Sequence, residues 1–414
     1  MYFSLLLNIK VNFVNIFDLF RPYFNIQLFT NVNYSCAIFV ITNLRKYMEA
    51  IDYGQIYVSS IQGRYITYDH LNKFILGLSK SFGVITIGKS VRDEPIKSIT
   101  FGHGPTRILM WSQMHGNEST TTKAVIDLLN FLEHDTVSAL EIEKHCTLKI
   151  IPILNPDGAR DYTRVNANEV DLNRDAQDLT QPESRILKKE YDSFHPDFCF
   201  NLHDQRTIFN VGKTNKPATV SFLAPAFDVE RSNSPSRKLS MQLIAAMNSK
   251  LQELIPGQVG RYDDGFNANC VGDAFQMRET PTILFEAGHY YEDYQREKTR
   301  EFIFYSLLKG INTIVLKQIE DYTIEQYLAI PENGKQFVDI LIKKSRNVNG
   351  TEVVKSPFSV QYKEVLKDGR VVFNPIQHIF ETTPLEIFGH KRLDLEVKED
   401  LEWLKNNKIL KLLD

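Results

Sequence analysis

The 414-residue chain exceeds the size at which one hydrophobic core keeps growing, which implies a large domain of about 250 to 300 residues and something smaller. Its 43% hydrophobic and 24% charged residues exclude collagen, wholesale disorder and a multi-span membrane protein. A formal net charge of -3 leaves no global basic field to draw the chain onto nucleic acid or anionic lipid.

In chain order, the first 47 residues stand apart, with seven Phe, seven Asn, no Gly and Asp18 as the only acid. Asn8 and Lys10 interrupt the apolar run after Leu7, so no signal peptide reads cleanly. The stretch Cys36 to Ile41 is far short of the about 20 apolar residues that a membrane span needs. The functional chain is therefore expected to begin near Met48, with residues 1–47 a poorly ordered extension. The cysteines, Cys36, Cys146, Cys199 and Cys270, are scattered with no CxxC pair, which reads as reduced, mostly buried thiols in a reducing compartment.

From Tyr65 onward short apolar runs alternate with amphipathic segments, the texture of an α/β protein. Arg107 to Ser112 reads as a buried strand leading to His115, and a helix should follow with Ser119 as its N-cap and Ala124, Val125, Leu128, Leu129 and Leu132 on its apolar face. Leu148 to Leu154 reads as a second strand ending in the turn tetrapeptide Asn155-Pro-Asp-Gly158. Two more strands, Phe198 to Leu202 and Thr282 to Phe285, deliver His203 and Glu286 at their carboxyl ends. In open α/β sheets the ligand crevice lies beyond those ends. Ser234-Pro235 opens a helix carrying Leu239, Leu243, Met247 and Leu251, and Phe302, Tyr305, Leu308 and Ile311 mark another. Beyond Gln318 the pattern becomes strand-like at Phe337 to Lys343 and Val360 to Phe373, with a hairpin signal at Lys367-Asp-Gly-Arg370 and a charged helix near Leu395 to Leu413. The expected organisation is a catalytic domain over 48–317 and a small α+β domain over 318–414.

His115-Gly-Asn-Glu118 offers imidazole and carboxylate, a donor pair that suits Zn²⁺. The pair alone is a weak signal, but its place at a strand-to-helix junction favours a carboxylate through the helix dipole. Catalytic zinc takes three protein ligands, and His203, after an apolar strand, is the best third. His134, His145 and His195 read as surface residues, while His103 and His289 neighbour the site, each beside a Gly, and read as flanking turns. Within Asp171-Leu-Asn-Arg-Asp175, Arg174 can grip a carboxylate with two parallel hydrogen bonds and Asn173 can donate another, as the reading of a free C-terminus requires. Arg164 either stabilises an oxyanion or makes a surface ion pair. Glu286, an isolated carboxylate at the end of an apolar strand, has the setting of a general base whose pKa burial would raise.

HxxE, Asn-Pro-Asp-Gly, Arg-x-Asn followed by Asp-Leu-Asn-Arg, a strand-end His and Phe-Glu-Ala-Gly, in this order, resemble the zinc carboxypeptidases of the carboxypeptidase A type. The resemblance runs from Gly102 to Gly288 and extends to the helix ending near Leu316. It implies a mixed eight-stranded sheet with helices on both faces and one Zn²⁺ per chain on His115, Glu118 and His203. It also implies Arg164 as oxyanion stabiliser, Asn173 and Arg174 as terminal-carboxylate clamp and Glu286 as base. Tyr262 is the nearest match to the family's mobile tyrosine, and Asn267 to Asp273 should choose the C-terminal side chain. The substrate would be a peptide, without nucleic acid or membrane insertion, and the location cytoplasmic. Two alternatives stand beside this reading. A zinc deacylase of N-acyl amino acids, similar to succinylglutamate desuccinylase or aspartoacylase, shares His-Gly-Asn-Glu and Asp-Leu-Asn-Arg. A non-catalytic peptide-binding protein would be expected to have lost a ligand, base or arginine, and all are present.

Overall fold

The structure is a computed structural model that describes residues 51–134, 136–343, 357–380 and 386–413. The expected extension over 1–47 lies outside the described residues. Eight strands make the principal sheet: β1 (Phe82–Lys89), β2 (Pro95–Phe101), β3 (Thr106–Ser112), β4 (Cys146–Ile151), β5 (Phe198–Asp204), β6 (Val220–Leu223), β7 (Val259–Arg261) and β8 (Thr282–Ala287). Their order is β1-β2-β4-β3-β5-β8-β6-β7. The four central strands β4, β3, β5 and β8 are parallel, while β1, β2 and β6 join antiparallel.

This is the mixed α/β sheet expected from the sequence. All seven residues of β5 are buried, as befits a central strand covered on both faces. On one face Leu109, Trp111, Ile151 and Cys199 pack with Leu187 and Tyr191 of the helix Pro182–Phe194. On the other, Gly310 brings the helix Glu297–Val315 against Phe200 and against Met247 of the helix Pro235–Leu254. Ser234 caps that second helix through Arg237 N at 3.2 Å, as its sequence suggests. The second expected strand ends at Ile151, because Pro152 has no N–H to continue a ladder.

Past the last helix, Asn333–Gly334 pairs with Asn210–Val211, and Phe337 N donates to Ile208 O at 3.1 Å. The chain then forms a four-stranded sheet of β9 (Phe337–Lys343), β10 (Phe358–Lys367), β11 (Arg370–Gln377) and β12 (Phe388–Asp394), ordered β11-β10-β9-β12. Asp368 and Gly369 have φ of 50° and 71°, the two positive values that a tight two-residue hairpin requires. The charged C-terminal stretch is shorter in helix than expected: Leu395 follows β12, and the helix spans Lys398–Asn406. Among the described residues no helix is long and apolar enough to cross a membrane, and Cys146, Cys199 and Cys270 are free.

One buried ion pair fixes the start of the described chain to the sheet's helical layer. Arg300 Nη2 meets Asp127 Oδ1 at 2.5 Å, both side chains wholly buried. Asp127 also accepts from Tyr53 Oη at 2.6 Å and Val58 N at 3.0 Å, and Arg300 donates to Ile61 O at 2.6 Å. Removing Asp127 leaves the buried Arg300 with only Glu297, at 3.1 Å, as an acidic partner among the described residues and strips it of most of its compensation. Asp127→Ala is expected to destabilise the fold by about 3–5 kcal/mol, read as a lowered urea midpoint, and an unchanged midpoint would contradict the role given to this pair.

Candidate metal centre

The sheet brings three side chains from separate places in the sequence to one point. His115 follows β3, Glu118 lies just before the helix Thr120–Leu132, and His203 is the penultimate residue of β5. Their ligating atoms all lie within 4.8 Å of one another, and all three residues are buried. Glu118 is shared: Oε1 lies 2.9 Å from His115 Nδ1, and Oε2 lies 2.9 Å from His203 Nδ1 and accepts Asp204 N at 3.1 Å.

The backbone reaches this arrangement through a close approach that only glycine permits. A Cβ on Gly116 would stand 1.9 Å from Gly158 C, so the His-Gly-Asn-Glu loop rests directly on Asn155-Pro-Asp-Gly158. That tetrapeptide is not merely a turn. Asn155 accepts Gly158 N at 2.8 Å and caps the short helix Pro156–Asp161, while its Nδ2 donates to Met114 O at 3.2 Å. The expected cap of the helix Thr120–Leu132 is also corrected. Ser119 occupies the N-cap position, but its hydroxyl donates to Arg64 O at 2.6 Å. The carboxylate of Asp204 instead takes Thr120 N and Thr121 N, at 2.8 and 3.2 Å.

The donor set fits a metal ion. His115 has a carboxylate at each ring nitrogen, Glu118 Oε1 at Nδ1 and Asp171 Oδ1 at 3.0 Å from Nε2, which raise its pKa against burial, and the tautomer that donates Nε2–H to Asp171 would leave Nδ1 as a lone pair for a metal. His203 Nδ1 approaches that same atom at 3.1 Å. Two such nitrogens beside one carboxylate are relieved by a shared cation. Burial works to raise the Glu118 pKa, but the imidazoles, His115 foremost, hold it well below the usual carboxylate range. Burial pushes His203 down, toward the neutral form that binds metal.

Residues 69–201 match the family model described as zinc carboxypeptidase. Over these residues the chain is similar to the zinc carboxypeptidases. It is 32% identical over 147 residues to Carboxypeptidase SOL1 of Arabidopsis thaliana, covering 30% of each chain. To Carboxypeptidase 2 of Trichophyton rubrum it is 26% identical over 113 residues, 27% of this chain and 20% of that one. The chain thus spans less than a third of the length of these curated relatives. A solved structure from Burkholderia mallei, of a protein named as a carboxypeptidase candidate, shares the fold with a TM-score of 0.50 and 15% identity. That likeness covers 61% of this chain and 68% of the other.

Around the triad lie the other residues singled out in the sequence. Glu286, in β8, is the register partner of His203 in β5. It is buried at its carboxylate, Oε2 has no partner, and burial followed by the charges of Glu118 and Asp204 pushes its pKa well up. Arg164 is about half exposed and bridges Glu118 Oε1 and Asp171 Oδ2, at 3.1 and 3.0 Å. Tyr262 is brought to the same place: after burial, the nearby charges of Glu286 and Glu118 raise its pKa. Asn173 and Arg174 occupy a single 3-10 turn after Asp171. Asn173 Oδ1 accepts Val271 N at 2.9 Å, and the exposed Arg174 lies 3.1 Å from Cys270 Sγ. His103, His134 and His195 are exposed and His145 is half-buried beside Glu141, so the surface readings agree with the structure. His289 does not flank an open turn, because it is 2% exposed.

Two supports were not visible in the sequence. Asp171 was notable only as part of the arginine motif, yet it orients His115. Glu364, on β10, takes Arg64 Nη1 at 3.0 Å and the hydroxyl of Tyr162. Tyr162 has a left-handed backbone, φ 56°, two residues before Arg164, so the C-terminal sheet braces the loop that aims this arginine.

Two outcomes follow from the geometry. Asp171→Asn should weaken zinc binding by roughly 10- to 100-fold in a chelator competition, because the hydrogen bond that orients His115 is weakened. Gly116→Ala should fold with a lower melting temperature and lose most bound zinc by metal analysis, since its Cβ meets backbone on the facing loop. Full zinc content in that variant would show that the close approach is not required.

Proposed function

We propose that the protein is a metallocarboxypeptidase that hydrolyses the C-terminal peptide bond of peptides with free carboxyl ends. The observation that carries this reading is the half-buried carboxylate of Glu286, its Oε2 buried and unpartnered, in register with His203 of the His-Glu-His triad. His115, Glu118 and His203 would hold zinc, which when bound supplies a Lewis acid that polarises the scissile carbonyl and acidifies water.

The remaining work falls to the chain's own groups. Glu286 takes the proton from the attacking water and returns it to the leaving amine, a task helped by burial, which raises its pKa well above the ordinary carboxylate value. Arg164, free on its exposed side, donates to the oxygen that gains negative charge as the carbonyl is attacked. Asn173 has its oxygen engaged by Val271 N, which leaves its amide N–H groups to donate to a terminal carboxylate, with Arg174 beside it in the same turn. Tyr262, packed on Phe209 and near enough to Glu286 and Glu118 to feel their charges, would cover the last residue of the substrate.

A zinc-loaded sample assayed on free-ended peptides, their amidated counterparts and N-acyl amino acids tests the substrate. Release of single residues from the free-ended peptides alone is expected. Cleavage confined to the N-acyl amino acids would overturn the proposal in favour of deacylation. Glu286→Gln should keep its zinc and lose about 10²- to 10⁴-fold in kcat, and a variant retaining wild-type kcat would remove Glu286 from the mechanism.

A further inference from the structure

Away from the triad, the segment that follows Glu286 and the C-terminal sheet frame a second cavity of about 390 Å³. That volume lies within the range of small-molecule sites, about 300–1,000 Å³. His289, three residues past Glu286, lies in its wall, is 2% exposed and has no partner on either ring nitrogen. Burial keeps the ring neutral, so it presents one N–H and one lone pair, both unmet. Buried polar atoms are nearly always bonded, and a pair left open on one ring points to something that fills the cavity.

The rest of the wall says what that is. His390 packs on His289 with ring centroids 4.1 Å apart, and its Nε2 donates to Thr207 O at 2.7 Å, which leaves Nδ1 as an acceptor. Tyr294, Phe373 and Trp403 supply aromatic surface. Lys391 holds its amine 4.8 Å above the Trp403 ring, with no acidic partner among the described residues, and Glu292 stands on the same wall. A cation, an anion, imidazole donors and acceptors, and aromatic rings around one small volume match a zwitterion with an apolar body.

We propose that this cavity binds a free α-amino acid with a large apolar or aromatic side chain. Its carboxylate meets Lys391 and the His289 N–H, its ammonium meets an imidazole lone pair and Glu292, and its side chain lies among the rings. The seat leans on the segments that follow both His203 and Glu286, through Thr207 and His289. Such a molecule is also what removal of one C-terminal residue releases, a point that rests on the proposed activity. The binding itself stands on the cavity alone.

Calorimetric titration of the zinc-loaded full-length protein with phenylalanine, phenylalanine amide, N-acetylphenylalanine and glycine tests this. Phenylalanine should bind saturably, and the other three roughly tenfold or more weakly, since each lacks one charged or apolar anchor. Lys391→Met should abolish this binding while peptide hydrolysis persists. His289→Leu should abolish it without lowering the melting temperature, because two unmet polar atoms are removed. Arg174→Ala, which alters the metal centre, should retain it. Binding that survives Lys391→Met but is lost in Arg174→Ala would place the amino acid at the metal centre and overturn the proposal, as would no binding at millimolar concentration. Failure of the activity reading would appear in the hydrolysis panel and leave this titration unchanged.

Discussion

Glu118 has to remain an ionised carboxylate in a place nearly closed to water, and much of the surrounding structure meets that constraint. Its two oxygens are shared among His115, His203, Arg164 and the backbone N–H of Asp204. A buried carboxylate without such partners would take up a proton and cease to be a metal ligand. Each partner is itself held from behind. Asp171 fixes His115 and Arg164 together, and Asp204 anchors the end of β5 to the first turn of the next-door helix through Thr120 N and Thr121 N. Glu118 is therefore less an isolated ligand than the point where β3, β5 and the helix Thr120–Leu132 are tied together.

The opposite treatment of Glu286 follows from the same sheet. It sits one strand over from His203, in register with it, but receives no hydrogen bond at Oε2. The negative charges of Glu118 and Asp204 act on it, and Arg164 and Arg296 offset them only in part. Arg296 spends its guanidinium on the backbone, donating to Ala287 O and Gln205 O, so it clamps the two strand ends without neutralising the acid between them. Glu118, in the loop after β3, and Glu286, in β8, are thus pushed in opposite directions, one toward permanent charge and one toward exchange of a proton. Such a separation suits the proposed division of labour, in which one carboxylate holds the metal and the other exchanges a proton.

What the sequence could disclose follows from how chemistry is distributed along it. The triad and Glu286 stood out because each lies at or just past the end of an apolar strand, where side chains of that type have little structural reason to be, and the arginines because each lies in a short polar motif. The hairpin at Asp368-Gly369 was legible because its backbone demands particular residues. The cap supplied by Asp204, the brace from Glu364 to Arg64 and Tyr162, and the pair of Asp127 with Arg300 were not. Their partners are separated by 84, 300, 202 and 173 positions, and nothing local marks a carboxylate as the mate of a distant cation. His289 was misread for the same reason: a histidine after a glycine looks like a turn until a second sheet is packed against it.

That second sheet changes how the catalytic elements are held. Asp339, wholly buried on β9, accepts from Tyr294 Oη at 3.0 Å, from Gln361 Nε2 at 2.5 Å and from Tyr362 N at 2.6 Å, and burial pushes its pKa up to about 6. Gln361 also reaches Thr207, four residues beyond His203, and Tyr294 lies eight beyond Glu286. Strand ends in an open α/β sheet are otherwise free to drift, because their last residues have ladder partners on only one side of the crevice. Here the segments leaving β5 and β8 are hydrogen-bonded to a sheet whose partner residues lie 154 and 45 positions further along the chain. The C-terminal sheet therefore acts as a backing plate. It fixes the positions of His203 and Glu286 from behind, where no change to the substrate side of the cleft can disturb them.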